Sequence, residues 1–145
     1  MRELEAIVRD LCARVPRAIG AIVCDWEGEA IACALGRIGV GKEAEERAKE
    51  HVPRAISLTM PVPEFLVRLA AAEPAGLLRM FGQTGERFGT GGLTSMEVAY
   101  RDIAILIDRL PNDFYLMMLL RRPAVTSTAK HYMDEASRLL AEHVA

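Results

Sequence analysis

The sequence is poor in the residues that most often mark a reactive or disulfide-bonded protein. It has three cysteines and three histidines in 145 residues, and its aromatic content is 6%. A small, odd number of cysteines favours reduced thiols over a disulfide framework. The N-terminal segment is charged throughout, unlike a signal peptide. We therefore expect a core held together by apolar packing and a cytoplasmic location.

Neither charge nor hydropathy points to nucleic acid or to a membrane. The formal net charge is −2, so there is no basic excess that would favour DNA or RNA as a partner. The longest apolar run, at 114–120, is far shorter than the ~20 residues that span a bilayer. We predict no nucleic-acid partner and no membrane insertion.

Motifs for catalysis and cofactor binding are also missing from the sequence. It has no G-x-S-x-G, no H-E-x-x-H, and no lysine in the Walker A position after the glycines of GQTGERFGTGG, residues 82–92. His131 and Asp134 have a helical spacing that zinc could use, but no third ligand follows at a suitable distance. We predict no catalytic residue, no cofactor, no metal, and a flexible connector at 82–92.

Two cysteines flank a turn in AIGAIVCDWEGEAIACA, residues 18–34. With a three-residue loop, Cys24 faces Ala30 and Cys33 lies on the opposite face of the hairpin. With a two-residue loop, Cys33 faces Gly20, which is ~13 Å along the strand from Cys24. Neither register brings the two Cα atoms within the ~7 Å that a disulfide needs. We interpret both residues as small apolar core residues.

The hydrophobic period predicts a helix, two strands, a helical middle, three strands and a final helix. Residues 18–24 and 114–120 are apolar on both faces, which requires cover on both sides, and the short connections indicate an antiparallel sheet. We predict an α/β protein (α+β by class), a three-layer α/β/α sandwich with a five-stranded antiparallel sheet in the order α-β-β-α(α)-β-β-β-α. It would form a single domain, 1–145, with a long helical insertion at about 36–92.

The middle of the sequence is predicted to be helical, with apolar residues on the inward faces of its amphipathic helices. Residues 42–51 read as a solvated helix, and Pro74 separates two amphipathic helices. The residues expected to face the core are Phe65, Leu66, Leu69, Ala70, Leu77, Leu78 and Phe81. Further along, the strand at 93–100 alternates and reads as a sheet edge.

The element order resembles the roadblock family of dynein light chains and its prokaryotic MglB-like members, whose fold is roadblock/profilin-like. The resemblance covers about 16–36 and 93–143, and departs from the family in between, where one helix is usual. The residues that carry it are Gly20, Ala21, Asp25, Gly28, Leu116, Leu119 and Pro123.

The resemblance implies a non-catalytic, dimeric regulatory or adaptor module that binds a Ras-like small GTPase, sometimes stimulating GTP hydrolysis, or a signalling complex. Such dimers pair their third strands edge to edge, with the middle helices packed alongside. The resemblance therefore favours a dimer seam over a blunted edge for the predicted edge strand. The residues implied in the interface are Met96, Glu97, Val98 and Tyr100.

Three further residues are candidates for partner binding. Trp26 lies at a turn tip, either as a binding hot spot or folded back on a helix. Arg121 and Arg122 end a strand, where an arginine finger can be proposed. The alternative function is a small-ligand sensor, which predicts a cavity lined by Met117, Met118 and Phe65. An enzyme is the third hypothesis.

Overall fold

The computed structural model describes residues 2–57 and 59–145 of the chain. Its helices and strands follow the predicted order, with a short 3₁₀ turn at Pro111–Asp113 before the last strand. The elements are α1 (Arg2–Arg14), β1 (Ala18–Cys24), β2 (Ala30–Leu35), α2 (Lys42–His51), α3 (Arg54–Ser57), α4 (Val62–Ala72), α5 (Ala75–Arg87), β3 (Ser95–Ala99), β4 (Ile103–Arg109), β5 (Tyr115–Arg121) and α6 (Thr126–Val144).

The five strands form one sheet in the order β2-β1-β5-β4-β3. Every neighbouring pair is antiparallel, so the predicted antiparallel sheet is confirmed. All residues of β1 and all but the last of β5 are buried, which explains why both strands are apolar on both faces. The predicted central position of β5 and the predicted edge position of β3 are both confirmed.

Helices cover the sheet on both faces, so the predicted three-layer sandwich is confirmed. One core lies under α1 and α6, where Leu11 and Met133 pack against β1 and β5. The other lies under α4 and α5, where Val67 and Leu78 pack against the opposite face of the same strands. Each layer therefore buries the apolar stripe of its helices against a strand pair that is apolar throughout.

Two of the glycines that carry the family resemblance, Gly20 and Gly28, let α4 approach the β1–β2 hairpin closely. A Cβ at Gly20 would lie 3.0 Å from the Ala34 carbonyl oxygen and 3.0 Å from Val67 Cγ2. A Cβ at Gly28 would lie 2.9 Å from Ala72 Cα, and Gly28 also has a φ of +86°, which favours glycine. Glycine at these two positions is thus explained by close packing against β2 and against the helices of this layer.

The register of the β1–β2 hairpin differs from both predicted registers. The loop has three residues and Cys24 faces Ala30, as predicted for that case. A bulge between Val23 and Cys24 shifts the rest of the pairing, however, so Cys33 faces Ile22. The placement of Cys33 opposite Cys24, expected for a three-residue loop, is therefore wrong: both thiols lie on the α4 side, the same-side placement that the two-residue alternative gave.

The segment between β2 and β3 holds more helix than predicted. Four helices, α2 to α5, occupy its described part, and the short α3 among them was not expected. The predicted connector at 82–92 is wrong in its first half, because α5 continues to Arg87. The end of the segment folds back on the helix: the Thr90 amide and hydroxyl both donate to the Gly85 carbonyl oxygen, at 2.8 and 3.0 Å. A Cβ at Gly85 would collide with the Gly91 carbonyl oxygen, so the glycine is required there.

Replacing Gly20 with alanine is expected to lower the free energy of unfolding by about 1–3 kcal/mol. The added methyl group would press on a backbone carbonyl that cannot move without disturbing β2. The matched control is Gly76→Ala in α5, where nothing lies within 4 Å of the added Cβ. That variant is expected to gain about 0.5–1 kcal/mol. Urea denaturation measures both, and changes of the same sign would contradict the close-packing account.

Candidate functional site

The outer edge of the sheet is the strand β3, which pairs with β4 alone in the described part of the chain. Met96 and Val98 are half-buried on the α4–α5 side of the sheet. Glu97 points to the other side, where its carboxylate lies 3.4 Å from Lys130 Nζ of α6. Tyr100 follows the strand and is 55% exposed. The edge therefore offers free backbone groups beside apolar side chains.

The outer surface of α4 and α5 is apolar, so the predicted orientation of these helices is only partly correct. Leu69, Leu77 and Phe81 were expected in the core but are 43%, 50% and 50% exposed. Leu78 was predicted to face the core and is buried there, and Leu66 and Ala70 pack against the same core. Val67 also faces the sheet, where its side chain lies beside Gly20. The large apolar side chains left at the surface of these helices are Leu69, Leu77, Met80 and Phe81, with Phe88 just beyond.

Trp26 lies at the tip of the β1–β2 turn and combines both predicted alternatives. The Arg79 guanidinium of α5 lies 5.2 Å from the ring centroid, a cation–π contact that folds the ring back toward the helix. The side chain is still 45% exposed. It borders a cavity of about 210 Å³ that also includes Arg109 and Tyr115. Trp26 is therefore held in place with one face open to solvent.

The two candidate arginines lie at the other end of the sheet from Trp26. Trp26 is near Tyr115 at the start of β5, and Arg121 is the last residue of the same strand. Six residues of strand separate these ends by roughly 20 Å. The three candidate partner-binding residues are therefore divided between two places and do not form one site.

Arg122 and Arg17 form a network of hydrogen bonds with backbone carbonyls around the end of β5. Arg122 Nη1 donates to the Tyr100 carbonyl oxygen at 2.6 Å, and the Arg122 amide donates to that of Asp102 at 2.8 Å. Arg17 donates to the carbonyl oxygens of Arg121 and Arg122, at 3.0 and 3.3 Å. The Arg121 guanidinium makes no hydrogen bond or ion pair with any residue in 2–57 or 59–145. Of the two candidates, only Arg121 is free to bind a partner.

A cluster of basic side chains surrounds Arg121, and no pattern in the sequence indicates it. Its members come from the α1–β1 loop, α2, the β3–β4 turn and the end of β5, so no local motif marks it. The residues are Arg17, Lys42, Arg47, Arg101, Arg121 and Arg122. Arg101 lowers the pKa of Asp102 by hydrogen bonding and by its charge, and the charges of Arg121 and Arg122 act in the same direction.

The three thiols lie in the core or at its margin. Cys12 and Cys24 are buried and Cys33 is half-buried, and all three are free. Burial raises the pKa of Cys12 and of Cys24 to about 12, and that of Cys33 to about 11. A thiol with such a pKa is neutral near pH 7 and a poor nucleophile or metal ligand.

Carboxylates at the β1–β2 turn could be considered as metal ligands. Asp25, Glu27 and Glu29 each offer an oxygen, and these lie within 4.8 Å of one another. Asp25 Oδ1, however, accepts hydrogen bonds from the Glu27 and Glu29 amides, both at 2.9 Å, which accounts for its position as a turn residue. His131 Nε2 lies 3.6 Å from the carboxylate of Glu135, and among the described residues His131 belongs to no group of three potential metal ligands. The geometry does not call for an ion at either place.

The ligand cavity predicted around Met117, Met118 and Phe65 does not form. Met117 and Met118 are fully buried, and they belong to the two different cores on opposite faces of the sheet. Neighbouring residues of a strand point to opposite faces, so these two methionines cannot line one cavity. That version of the sensor hypothesis is wrong.

No family model and no curated protein matches the sequence. Solved structures match the fold over nearly the whole chain. The Roadblock/LC7 domain from Streptomyces avermitilis has 15% identity and a TM-score of 0.69, covering 97% of this chain and 96% of its own. The gliding protein MglB from Thermus thermophilus has 13% identity and a TM-score of 0.70, covering 97% and 87%. An MglB with tetrameric arrangement has 12% identity and a TM-score of 0.70, with the same coverage.

The fold is therefore that of roadblock and MglB proteins. The resemblance that the sequence predicts is confirmed at the level of the fold, including the antiparallel five-stranded sheet between two helical layers. Within residues 2–57 and 59–145, no helix has the length and apolar character needed to cross a membrane.

Asp108 of β4 is half-buried beside α6 and makes stability depend on pH. Burial raises the pKa of its carboxyl, and the nearby charge of Asp134 raises this pKa further. The hydrogen bond that Ser137 Oγ donates at 3.0 Å and the charge of Lys130 lower the pKa, but burial is the largest effect. The folded state therefore binds a proton more tightly than the unfolded state. The contribution of Asp108 to the free energy of unfolding is therefore largest at low pH. It is lost as the pH rises from the pKa of the unfolded state, 3.8, through the higher pKa of the folded state.

Asp108→Asn is expected to make the protein relatively more stable than the wild type as pH rises from about 4 to about 7. Asparagine keeps an acceptor for Ser137 and removes the buried charge. Urea midpoints measured across this range test the expectation. Glu46→Gln, at an exposed position of α2, removes the same charge and should leave the pH profile unchanged. Parallel profiles for Asp108→Asn and the wild type would contradict the assignment.

Proposed function

We propose that this protein is a non-catalytic regulatory or adaptor module that acts as a homodimer. The observation that carries the proposal is the open edge of β3, flanked by half-buried Met96 and Val98 and followed by exposed Tyr100. A free edge of this kind pairs readily with a second strand. A second copy offers the same edge, and antiparallel pairing of two identical strands closes a two-fold dimer.

The apolar surface of α4 and α5 supports the same assembly. Side chains such as Leu77 and Phe81 form a stripe at i and i+4 on α5 that faces away from the sheet. Contiguous exposed apolar surface of this kind is typical of interaction sites. In the proposed dimer, the middle helices lie beside the paired β3 strands, as the family resemblance implies. The tetrameric arrangement named for one MglB structure is consistent with a fold that associates with itself.

The proposed partner is a Ras-like small GTPase, in a cytoplasmic signalling complex. Support comes from the sequence resemblance and from the likeness to MglB structures, one of them named as a gliding protein. If the module stimulates GTP hydrolysis, it would do so by ordering the switch residues of the GTPase. Arg121 is the better candidate for a direct contact, because the Arg122 side chain is engaged with the Tyr100 carbonyl oxygen. The proposed unit is a single domain, 1–145, with 36–92 as its helical insertion.

Val98→Arg is expected to give a folded monomer. The substitution places a charge beside the proposed seam, where it would be buried on association. Sedimentation velocity and circular dichroism measure association and folding. The matched control is Leu35→Arg on the opposite edge strand, β2, where Leu35 is 42% exposed; this variant should remain dimeric. A Val98→Arg protein that stays dimeric would place the seam elsewhere, and a monomeric wild type at high concentration would contradict the dimer itself.

Pull-down of candidate Ras-like GTPases, followed by a GTPase assay, tests the proposed partner. Trp26→Ala and Arg121→Ala report separately on the two ends of the sheet, so the one that weakens binding identifies the contacting end. If Arg121 acts as an arginine finger, its loss lowers the hydrolysis rate by about 10³-fold or more. Arg9→Ala, at an exposed position of α1, is the control. No complex and an unchanged hydrolysis rate would refute the GTPase proposal.

A further inference from the structure

An open cationic cleft lies between α2, the β3–β4 turn and the end of β5. Its volume is about 600 Å³. We refer to it as the cationic cleft and define it by its six basic residues, Arg17, Lys42, Arg47, Arg101, Arg121 and Arg122. The chain as a whole has a net charge of −2, so this concentration of positive charge is local.

The acidic residues of the cleft do not neutralise it. Among the described residues, the acidic side chains that line the cleft beside the six basic ones are Glu43 and Asp102. Glu43 pairs with Arg47 at 3.0 Å, and Asp102 pairs with Arg101 at 2.9 Å. Four positive charges therefore remain in excess in a small volume. Such a local excess of positive charge attracts anions.

Arg121 is the side chain best placed to bind an anion. Its guanidinium lies against Gly41, 3.4 Å from the position that a Cβ would occupy there. In the described part of the chain it has no hydrogen-bond acceptor, whereas Arg17 and Arg122 donate to backbone carbonyls. A free guanidinium offers the paired N–H groups that match a phosphate or carboxylate.

An apolar groove continues from the cationic cleft. Its volume is about 580 Å³. The two cavities share Val40, Ala44, Arg101 and Asp102, so they are one continuous depression. The sheet forms the floor of the groove and α4 forms its wall. The apolar residues that line it beyond the shared ones include Leu66, Leu69, Ile103, Ile105 and Leu119.

We propose that the apolar groove and the cationic cleft together form a binding site for a small amphiphilic anion, whose phosphate or carboxylate group lies in the cleft and whose apolar part lies in the groove. Each cavity has the size of a small-molecule site. The pairing of charge at one end with apolar surface at the other matches such a ligand at both ends. Tyr100 borders the groove and belongs to the proposed dimer seam, so an occupant would contact the seam. This inference goes beyond the proposed function, because it gives the module an effector.

Isothermal titration calorimetry with octyl phosphate tests the site directly. Octyl phosphate and octanoate carry the two candidate anionic groups, and inorganic phosphate and 1-octanol carry only one half of the ligand each. We expect at least one of the two amphiphiles to bind about tenfold or more tightly than either half. Binding of neither amphiphile, or equal binding of the amphiphiles and the halves, would overturn the proposal.

Two variants separate the contributions of the cleft and the groove. Arg121→Gln should weaken amphiphile binding about tenfold, because it removes a charge-assisted contact. Leu69→Gln should weaken amphiphile binding about fivefold and leave the binding of inorganic phosphate unchanged. Arg9→Gln on α1 removes one charge outside the site and should change neither. Wild-type affinity in both Arg121→Gln and Leu69→Gln would overturn the placement of the site.

Vesicles distinguish a soluble ligand from a lipid headgroup. Co-sedimentation with vesicles containing phosphatidic acid is compared with binding of soluble octyl phosphate. Binding of the soluble amphiphile, with or without vesicle binding, supports the proposed site. Vesicle binding without any binding of octyl phosphate or octanoate would overturn the proposed site and indicate a surface that meets a membrane.

Discussion

The pairing of β1 with β5 is the interaction on which the rest of the structure depends. Both strands lie at the middle of the sheet, and their side chains are buried on both faces. Such a pair is stable only when each face is covered, so the chain must supply two helical layers. The α1–α6 layer and the α4–α5 layer follow from this requirement, as does the three-layer order that the fold shares with roadblock and MglB structures.

The two layers do not cover the sheet equally. The glycines at 20 and 28 bring α4 close to the β1–β2 half of the sheet. On the same face, Met96 and Val98 of β3 remain only half-buried, and the groove over Ile103 and Ile105 stays open. Close packing over the β1–β2 half of this face thus leaves apolar surface over the β3–β4 half. The proposed interface and the proposed ligand site both lie on this less covered half.

Much of the fold could be predicted because its signals are local. Apolar periods indicate α1, α6 and the central and edge strands, and turn residues indicate the antiparallel connections. The exposed apolar side of α4 and α5 could not be predicted, because apolar residues surround more of each helix than the sheet can cover. The bulge before Cys24 and the helical extension over residues 82–87 depend on pairing and folding back, which leave no local pattern.

The candidate site was predictable only in part, for the same reason. Residues of the β3 edge follow one another, so their alternation is visible in the sequence. The basic cluster draws on residues between Arg17 and Arg122, which only the fold brings together. The separation of Trp26 from the arginines likewise follows from the fold, because the β1–β2 turn lies near the start of β5 and the arginines lie at its end.

The hydrogen bonds around the end of β5 give the cationic cleft two unequal walls. On the strand side, Arg121 and Arg122 tie the α1–β1 loop and the β3–β4 turn to the sheet, so this wall is organised before anything binds. On the helix side, α2 buries none of its residues, so little free energy holds it in position. A ligand in the cleft would therefore shift the position of α2 more readily than that of the strand-side wall. Movement of this solvated helix is the change by which ligand binding would alter the protein surface.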